Sequence, residues 1–175
     1  MGSSTEYSAD VFVVGGGPAG LAAAIAARQR GFDVMLADPN APGADKACGE
    51  GVMPEGVESL GRLGVAISAA EARPFHGIRF LQAGIAAEAR FEGGAGLGIR
   101  RTVLHRMLAE RAEECGVRLL WRTPVRQVAG DAVTLPGGTV RARWICAADG
   151  SRSLVRRSIG LEPASPDSPR YASRQ

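Results

Sequence analysis

Several side-chain types are scarce in this chain, and each scarcity removes a class of protein. Only three of its 175 residues are Cys, an odd number and too few for a disulfide framework. A reducing, cytoplasmic setting is therefore expected. The two His, His76 and His105, and the three Cys have no metal-ligand spacing, so no metal is expected. Each histidine reads as structural or exposed. No apolar run approaches the length of a membrane span, which argues against stable membrane insertion. The N-terminus carries Glu6 and Asp10 and lacks a basic n-region, unlike a signal peptide. There is no serine nucleophile elbow, no internal repeat and no low-complexity block.

Lysine is almost missing. Of 21 basic residues, only Lys46 is Lys. Such a bias reads first as a GC-rich genome, yet it makes the position of Lys46 conspicuous. Charge is also uneven. Residues 1–100 hold 8 basic and 11 acidic side chains, and residues 101–175 hold 13 and 7. Such a gradient reflects an anionic ligand, a nucleic acid or simply a solvated Arg-rich surface.

What is present is a chain 45% apolar with 24 Gly, enough for a core of one domain. Residues 1–8 are polar and read as a disordered tail. Asp10 to Val14 reads as a buried parallel strand, leading into Gly15-Gly-Gly17-Pro-Ala-Gly20. Leu21 to Arg30 reads as an Ala-rich helix, with Pro18 in its first turn and Gly31 ending it. Val34 to Ala37 is the next strand, closed by Asp38-Pro39, which completes a βαβ unit. Residues 40–51 form a loop. Pro54 to Gly64 reads as a helix, residues 77–82 and 85–91 as a hairpin, and Gly93 to Gly98 as a glycine-rich connection. Thr102 to Cys115 is a second helix with a stripe of Val103, Leu104, Met107, Leu108 and Ala112. Strands follow at Val117 to Trp121, near 124–129, at 132–135 and at Val140 to Ala147, then a short helix at Leu154 to Ile159. The predicted organisation is a domain over 9–160, an insertion around 70–98, and an irregular tail at 161–175, where a truncation point is expected.

Each glycine of the turn has its own reason. Gly15 permits the tight turn, Gly17 opens space for a pyrophosphate, and Gly20 lets the helix pack on the sheet. The helix N-terminus favours anions. Asp38 stands where a carboxylate accepts hydrogen bonds from a ribose, although Asp before Pro39 also forms turns. The turn's position between strand and helix points to a dinucleotide site.

Further motifs follow in order: Arg101-x-x-Leu104-x-x-x-Leu108, then Ala148-Asp149-Gly-Ser-Arg-Ser153 and Val155-Arg-Arg157. With the glycine turn and Asp38, they resemble the flavoprotein monooxygenase superfamily over about residues 9–160. That family includes aromatic hydroxylases, geranylgeranyl reductases and flavin-dependent halogenases. The resemblance implies an α/β fold of para-hydroxybenzoate hydroxylase type: a Rossmann-like FAD-binding domain with a parallel sheet, an inserted antiparallel element and an incomplete substrate domain. It implies FAD as cofactor and NAD(P)H as electron donor. Gly15, Gly17 and Gly20, with Pro18 and Ala19 between them, would cradle the pyrophosphate, and Asp38 would hold the adenosine ribose. Arg101 would lie by the phosphate and ribitol. Asp149 and Gly150 would touch FAD, and Val125 would lie near adenine. Asp149 also reads as an N-cap for the following short helix. Arg152, Arg156 and Arg157 read as phosphate contacts or as exposed helix arginines.

The loop Lys46-Ala-Cys48-Gly49-Glu50-Gly51 resembles the K-x-C-G-G loop of the geranylgeranyl reductase-like branch, which passes beside the isoalloxazine ring. That resemblance adds Cys48 and Gly49 to the cofactor contacts and makes Lys46, Cys48 and Glu50 the catalytic candidates. Cys48 reads alternatively as a small packing residue. Implied functions are NAD(P)H-dependent hydroxylation or prenyl-type double-bond reduction of a hydrophobic or aromatic small molecule. A halogenase and a non-catalytic FAD- or nucleotide-binding module are the alternatives. A prenyl-lipid substrate would bring peripheral membrane association. The Arg surplus then needs no nucleic-acid partner.

Overall fold

The computed structural model describes residues 5–46 and 48–161. Strand β1 (Thr5–Val14) leads into helix α1 (Pro18–Arg28) and strand β2 (Val34–Ala37). After the 40–50 loop come β3 (Gly51–Val52), α2 (Pro54–Arg62), β4 (Ala72–Phe75), β5 (Gly77–Gln82), β6 (Ile85–Arg90) and β7 (Gly96–Ile99). Helix α3 (Arg101–Glu114) and β8 (Arg118–Leu120) follow, then β9 (Gln127–Ala129), β10 (Ala132–Leu135), β11 (Gly138–Ala147) and α4 (Leu154–Ser158).

The main sheet has the order β8-β2-β1-β11-β10-β9. Its first four strands are mutually parallel, and β10 and β9 run antiparallel to their neighbours. This is the expected α/β architecture. Burial explains the apolar runs. Phe12, Val13, Val34 and Leu36 are fully buried because the central parallel strands are covered on both faces. Val13, Leu36 and Val34 pack with Leu21, Ile25 and Leu108 of the two long helices. Phe12, Val14 and Met35 pack on the opposite face with Val133 and Val140.

The strand boundaries differ from the sequence reading at the N-terminus. Residues 5–8 are not a disordered tail: β1 begins at Thr5, and Thr5 to Ser8 pair in parallel with Gly138 to Arg141 of β11. Polar edge residues hide a strand whose stability comes from ladder hydrogen bonds rather than from an apolar run. Residues 1–4 and 162–175 lie outside the described residues, and with them most of the expected 161–175 tail.

The inserted element is also richer than one hairpin. β5 and β6 form that hairpin, while β3, β7 and β4 form a separate three-stranded sheet. The supposed glycine connection at 93–98 becomes strand β7 at its C-terminal end. A Cβ on Gly96 would lie 2.5 Å from the Phe75 ring, so the glycine admits that aromatic across the sheet. In α3 the buried side chains are His105, Met107, Leu108, Ala109 and Ala112. Val103 and Leu104 are only half-buried, so the stripe sits further round the helix than expected. No helix among the described residues is long and apolar enough to cross a membrane.

Candidate functional site

The turn after β1 is shaped by three different constraints. Gly15 has φ +101°, and a Cβ there would come 2.5 Å from the Ala148 carbonyl oxygen. Only glycine fits that crossing of β1 and β11. A Cβ on Gly20 would meet the Gly15 carbonyl oxygen at 1.9 Å, so α1 docks directly on the turn. A Cβ on Gly17 would meet nothing within 4 Å. Helix α1 therefore starts with open space at Gly17, no side-chain cap and no acidic residue in its first turn. Its leading N–H groups carry the helix's partial positive charge uncompensated.

A cavity of about 420 Å³ opens at this point. Gly15, Gly17, Pro18 and Ala19 line it from the turn, joined by Asp38 and Val125. Arg101, Asp149, Gly150 and Lys46 complete the predicted set that reaches it. It lies at the carboxyl ends of β1, β2 and β11, where open α/β sheets place their ligands. Asn40, Pro124 and Arg152 line it as well. Of these, sequence motifs had offered only Arg152, and only as an alternative.

Asp38 does two jobs. Its Oδ2 accepts from the Gly16 N–H at 2.8 Å, and its Oδ1 accepts from the Asn40 backbone and side-chain amides at 2.8 and 3.0 Å. The turn-forming role is therefore real, and the same carboxylate faces the cavity. Asp149 is similar. Its Oδ2 accepts from the Leu154 and Val155 N–H groups at 2.6 and 3.3 Å. The N-cap residue of α4 is Ser153, whose Oγ accepts from the Arg156 N–H, and Asp149 caps the same helix start from outside it. The other oxygen, Asp149 Oδ1, is buried without a partner. A buried acceptor left unpaired is costly, and it marks a place for a ligand donor.

Arg101 opens α3 and donates from Nη1 to the Ala44 carbonyl at 2.7 Å. Lys46 is exposed at the cavity rim. Lys46, Arg101 and Arg152 give the cavity three cations, set among the carboxylates of Asp38 and Asp149.

The rest of the 46–51 loop is placed elsewhere. Cys48 and Gly49 are exposed and do not line the cavity. Cys48 Sγ accepts from the Glu50 N–H at 3.4 Å. Glu50 has φ +54°, a strained conformation for this residue. Its carbonyl accepts from Ile99, and its Oε1 accepts from the Arg101 N–H at 3.4 Å. The carboxylate thus sits on the N-terminus of α3, where its charge complements the helix dipole. Gly20 supports the turn from within the core and does not line the cavity.

The sequence reads His105 as structural or exposed, and the structure makes it structural. It is 5% exposed and its Nε2 lies 2.8 Å from the Gly16 carbonyl oxygen. Its Nδ1 accepts from the Gly43 N–H at 3.2 Å. The Trp121 ring packs beside it at 5.7 Å between centroids. A usable signal was its spacing: Arg101, His105, Leu108 and Ala112 fall on one helical face.

Residues 8–173 match the family described as FAD binding domain. A menaquinone reductase of Mycobacterium tuberculosis is 35% identical over 168 residues, which cover 90% of this chain and 41% of that protein. Digeranylgeranylglycerophospholipid reductase 1 of Methanopyrus kandleri is 35% identical over 165 residues, covering 88% and 43%. Among solved structures, PqsL of Pseudomonas aeruginosa in complex with 2-aminobenzoylacetate superposes with a TM-score of 0.79 at 21% identity, covering 90% of this chain and 47% of that one. The chain spans about two fifths of the length of the two reductases. It belongs to the FAD binding domain family, within the flavoprotein monooxygenase superfamily that its motifs resemble.

Proposed function

We infer that this chain is the FAD-holding part of an oxidoreductase that uses NAD(P)H to reduce a double bond in an isoprenoid-bearing lipid or quinone. The observation that carries the reading is the cavity itself. It joins an uncapped helix N-terminus, an unfilled space at Gly17, three cations and an orphaned Asp149 Oδ1. A pyrophosphate needs the first three of these features, and a hydroxyl or amide of the same ligand satisfies the fourth. The names of the two reductases point to the substrate class, and Lys46 in the cavity agrees with the geranylgeranyl reductase-like branch.

Bound FAD would supply the electron transfer, accepting two electrons from the nicotinamide and delivering them to the substrate. The chain's own residues do the rest. Amides of the glycine turn and the N-terminus of α1 bind the pyrophosphate, and Gly17 leaves room for it. Arg101 and Lys46 balance its charge. Asp38 accepts from ribose hydroxyls, and Asp149 Oδ1 from a second donor. Val125 and Pro124 give the nucleotide an apolar wall. The cavity volume lies within the usual range for small-molecule sites. A cytoplasmic protein meeting its lipid substrate at the membrane surface fits this reading.

Purified protein titrated with FAD is expected to quench flavin fluorescence with one site per chain. The holoprotein is expected to bleach on NAD(P)H addition without oxygen uptake. Absence of flavin binding would overturn the reading, and oxygen consumption coupled to product would move it to a monooxygenase.

A further inference from the structure

Two residues of α3, one helical turn apart, reach the same loop. Arg101 Nη1 donates to the carbonyl of Ala44, and His105 Nδ1 accepts from the N–H of Gly43. Residues four apart lie on one helix face, so the two form a single clasp. The loop they hold runs on to Lys46 in the cavity. His105 has a second bond on its other side. Because Nδ1 accepts from Gly43, the ring proton lies on Nε2, which donates to the Gly16 carbonyl at 2.8 Å. The ring therefore bridges the glycine turn and the lysine loop.

The surroundings hold that bridge still. Trp121 packs on the histidine ring and also walls Gly16, where a Cβ would lie 2.5 Å from its Cζ3. Gly16 is also held by Asp38, whose Oδ2 accepts from its N–H. His105, Trp121, Lys46 and Arg101 border one small chamber behind the cavity. His105 itself does not line the cavity, so any effect on a ligand passes through the groups it fixes.

We propose that His105 is a positioning residue: its neutral ring, protonated on Nε2, sets the separation of the glycine turn and the Lys46 loop and so presents Lys46 to the ligand. Packing alone does not account for it. A buried apolar side chain would fill the same volume, whereas an acceptor facing Gly43 together with a donor facing Gly16 requires a polar group with both.

The single lysine makes the test specific. A lysine-specific endoprotease has one cleavage site, after Lys46, and its rate under native conditions reports release of this loop. His105→Phe keeps a ring and deletes both hydrogen bonds. It is expected to speed that cleavage about tenfold and to weaken FAD binding by a similar factor. His105→Gln retains one acceptor and a donor, and is expected to return both readouts to within about threefold of the parent. Urea unfolding of each variant separates loop release from loss of the fold. Cleavage of His105→Phe at the parental rate would overturn the proposal. So would a His105→Gln variant cleaved as fast as His105→Phe. The affinity readout rests on the FAD reading, but the cleavage readout does not. Failure of the parent to bind FAD would defeat that reading alone and leave the clasp to be judged by proteolysis.

Discussion

Phe12 and Phe80 are both strand phenylalanines, and they lie in opposite worlds. Phe12, in β1, is fully buried between two layers. Phe80, in the β5–β6 hairpin, is 71% exposed, with Leu81 and Ile85 alike. The register puts Ile78, Phe80, Ala87 and Ala89 on one hairpin face and the Arg79–Glu88 ion pair on the other. The main sheet covers its own apolar surface, whereas the hairpin does not do so among the described residues. Nucleotide-site geometry can be built by the first region alone.

The comparison breaks most sharply at the two phenylalanines. Phe12→Ala is expected to cost about 3–5 kcal/mol in urea unfolding, through lost burial and a residual cavity. Phe80→Ala should shift stability by no more than about 0.5 kcal/mol, as for other exposed sites. A large loss at Phe80 would show that the hairpin is covered in solution.

The glycine turn offers a finer division within the buried region. Gly20→Ala forces a Cβ toward the Gly15 carbonyl and is expected to cost about 1–3 kcal/mol of stability. Gly17→Val meets no protein atom at its Cβ and should leave the urea midpoint unchanged. It should nonetheless weaken FAD binding about 100-fold, because the side chain occupies the pyrophosphate space. Retained stoichiometric flavin in Gly17→Val would remove the pyrophosphate from that place. Smaller again is Glu50→Gln. It deletes a charge at the N-terminus of α3 and should cost about 0.3–1 kcal/mol, with FAD affinity unaltered. A slowed flavin reduction in this variant would support Glu50 as a catalytic residue.

What the sequence made legible follows the same division. Gly15, Gly17, Asp38, Arg101 and Asp149 were readable because a phosphate turn, a strand-end carboxylate and a helix-start arginine each impose a backbone rule. The structure gathers all five around one cavity. The early start of β1 and strand β7 were not readable. The first lacks an apolar run, and the second opens on Gly96, a glycine required by the Phe75 ring opposite. Cys48 and Glu50 were readable only as members of a motif. Their loop resembles a flavin-facing segment, yet Glu50 caps α3 and Cys48 is exposed away from the cavity. His105 was readable only as structural or exposed, because a hydrogen-bonding bridge between two loops leaves no periodic mark beyond its place on a helix face.

The weakest expected effect tests how dry the main sheet is at its rim. Cys146, near the end of β11, is half-buried against the helix-side core, and desolvation pushes its thiol above the ordinary range. In the unfolded chain the thiol ionises first, near about pH 8.5, while in the folded chain it stays neutral. Stability should therefore be full below that pH and decline as pH rises from there through the folded thiol's own titration. Partial exposure keeps the decline shallow. Cys146→Ala should flatten it when urea midpoints of the two proteins are compared between pH 7 and 10. If both proteins lose stability equally over that range, water reaches Cys146 in the folded protein, and the self-covered region ends one strand-turn short of the cavity.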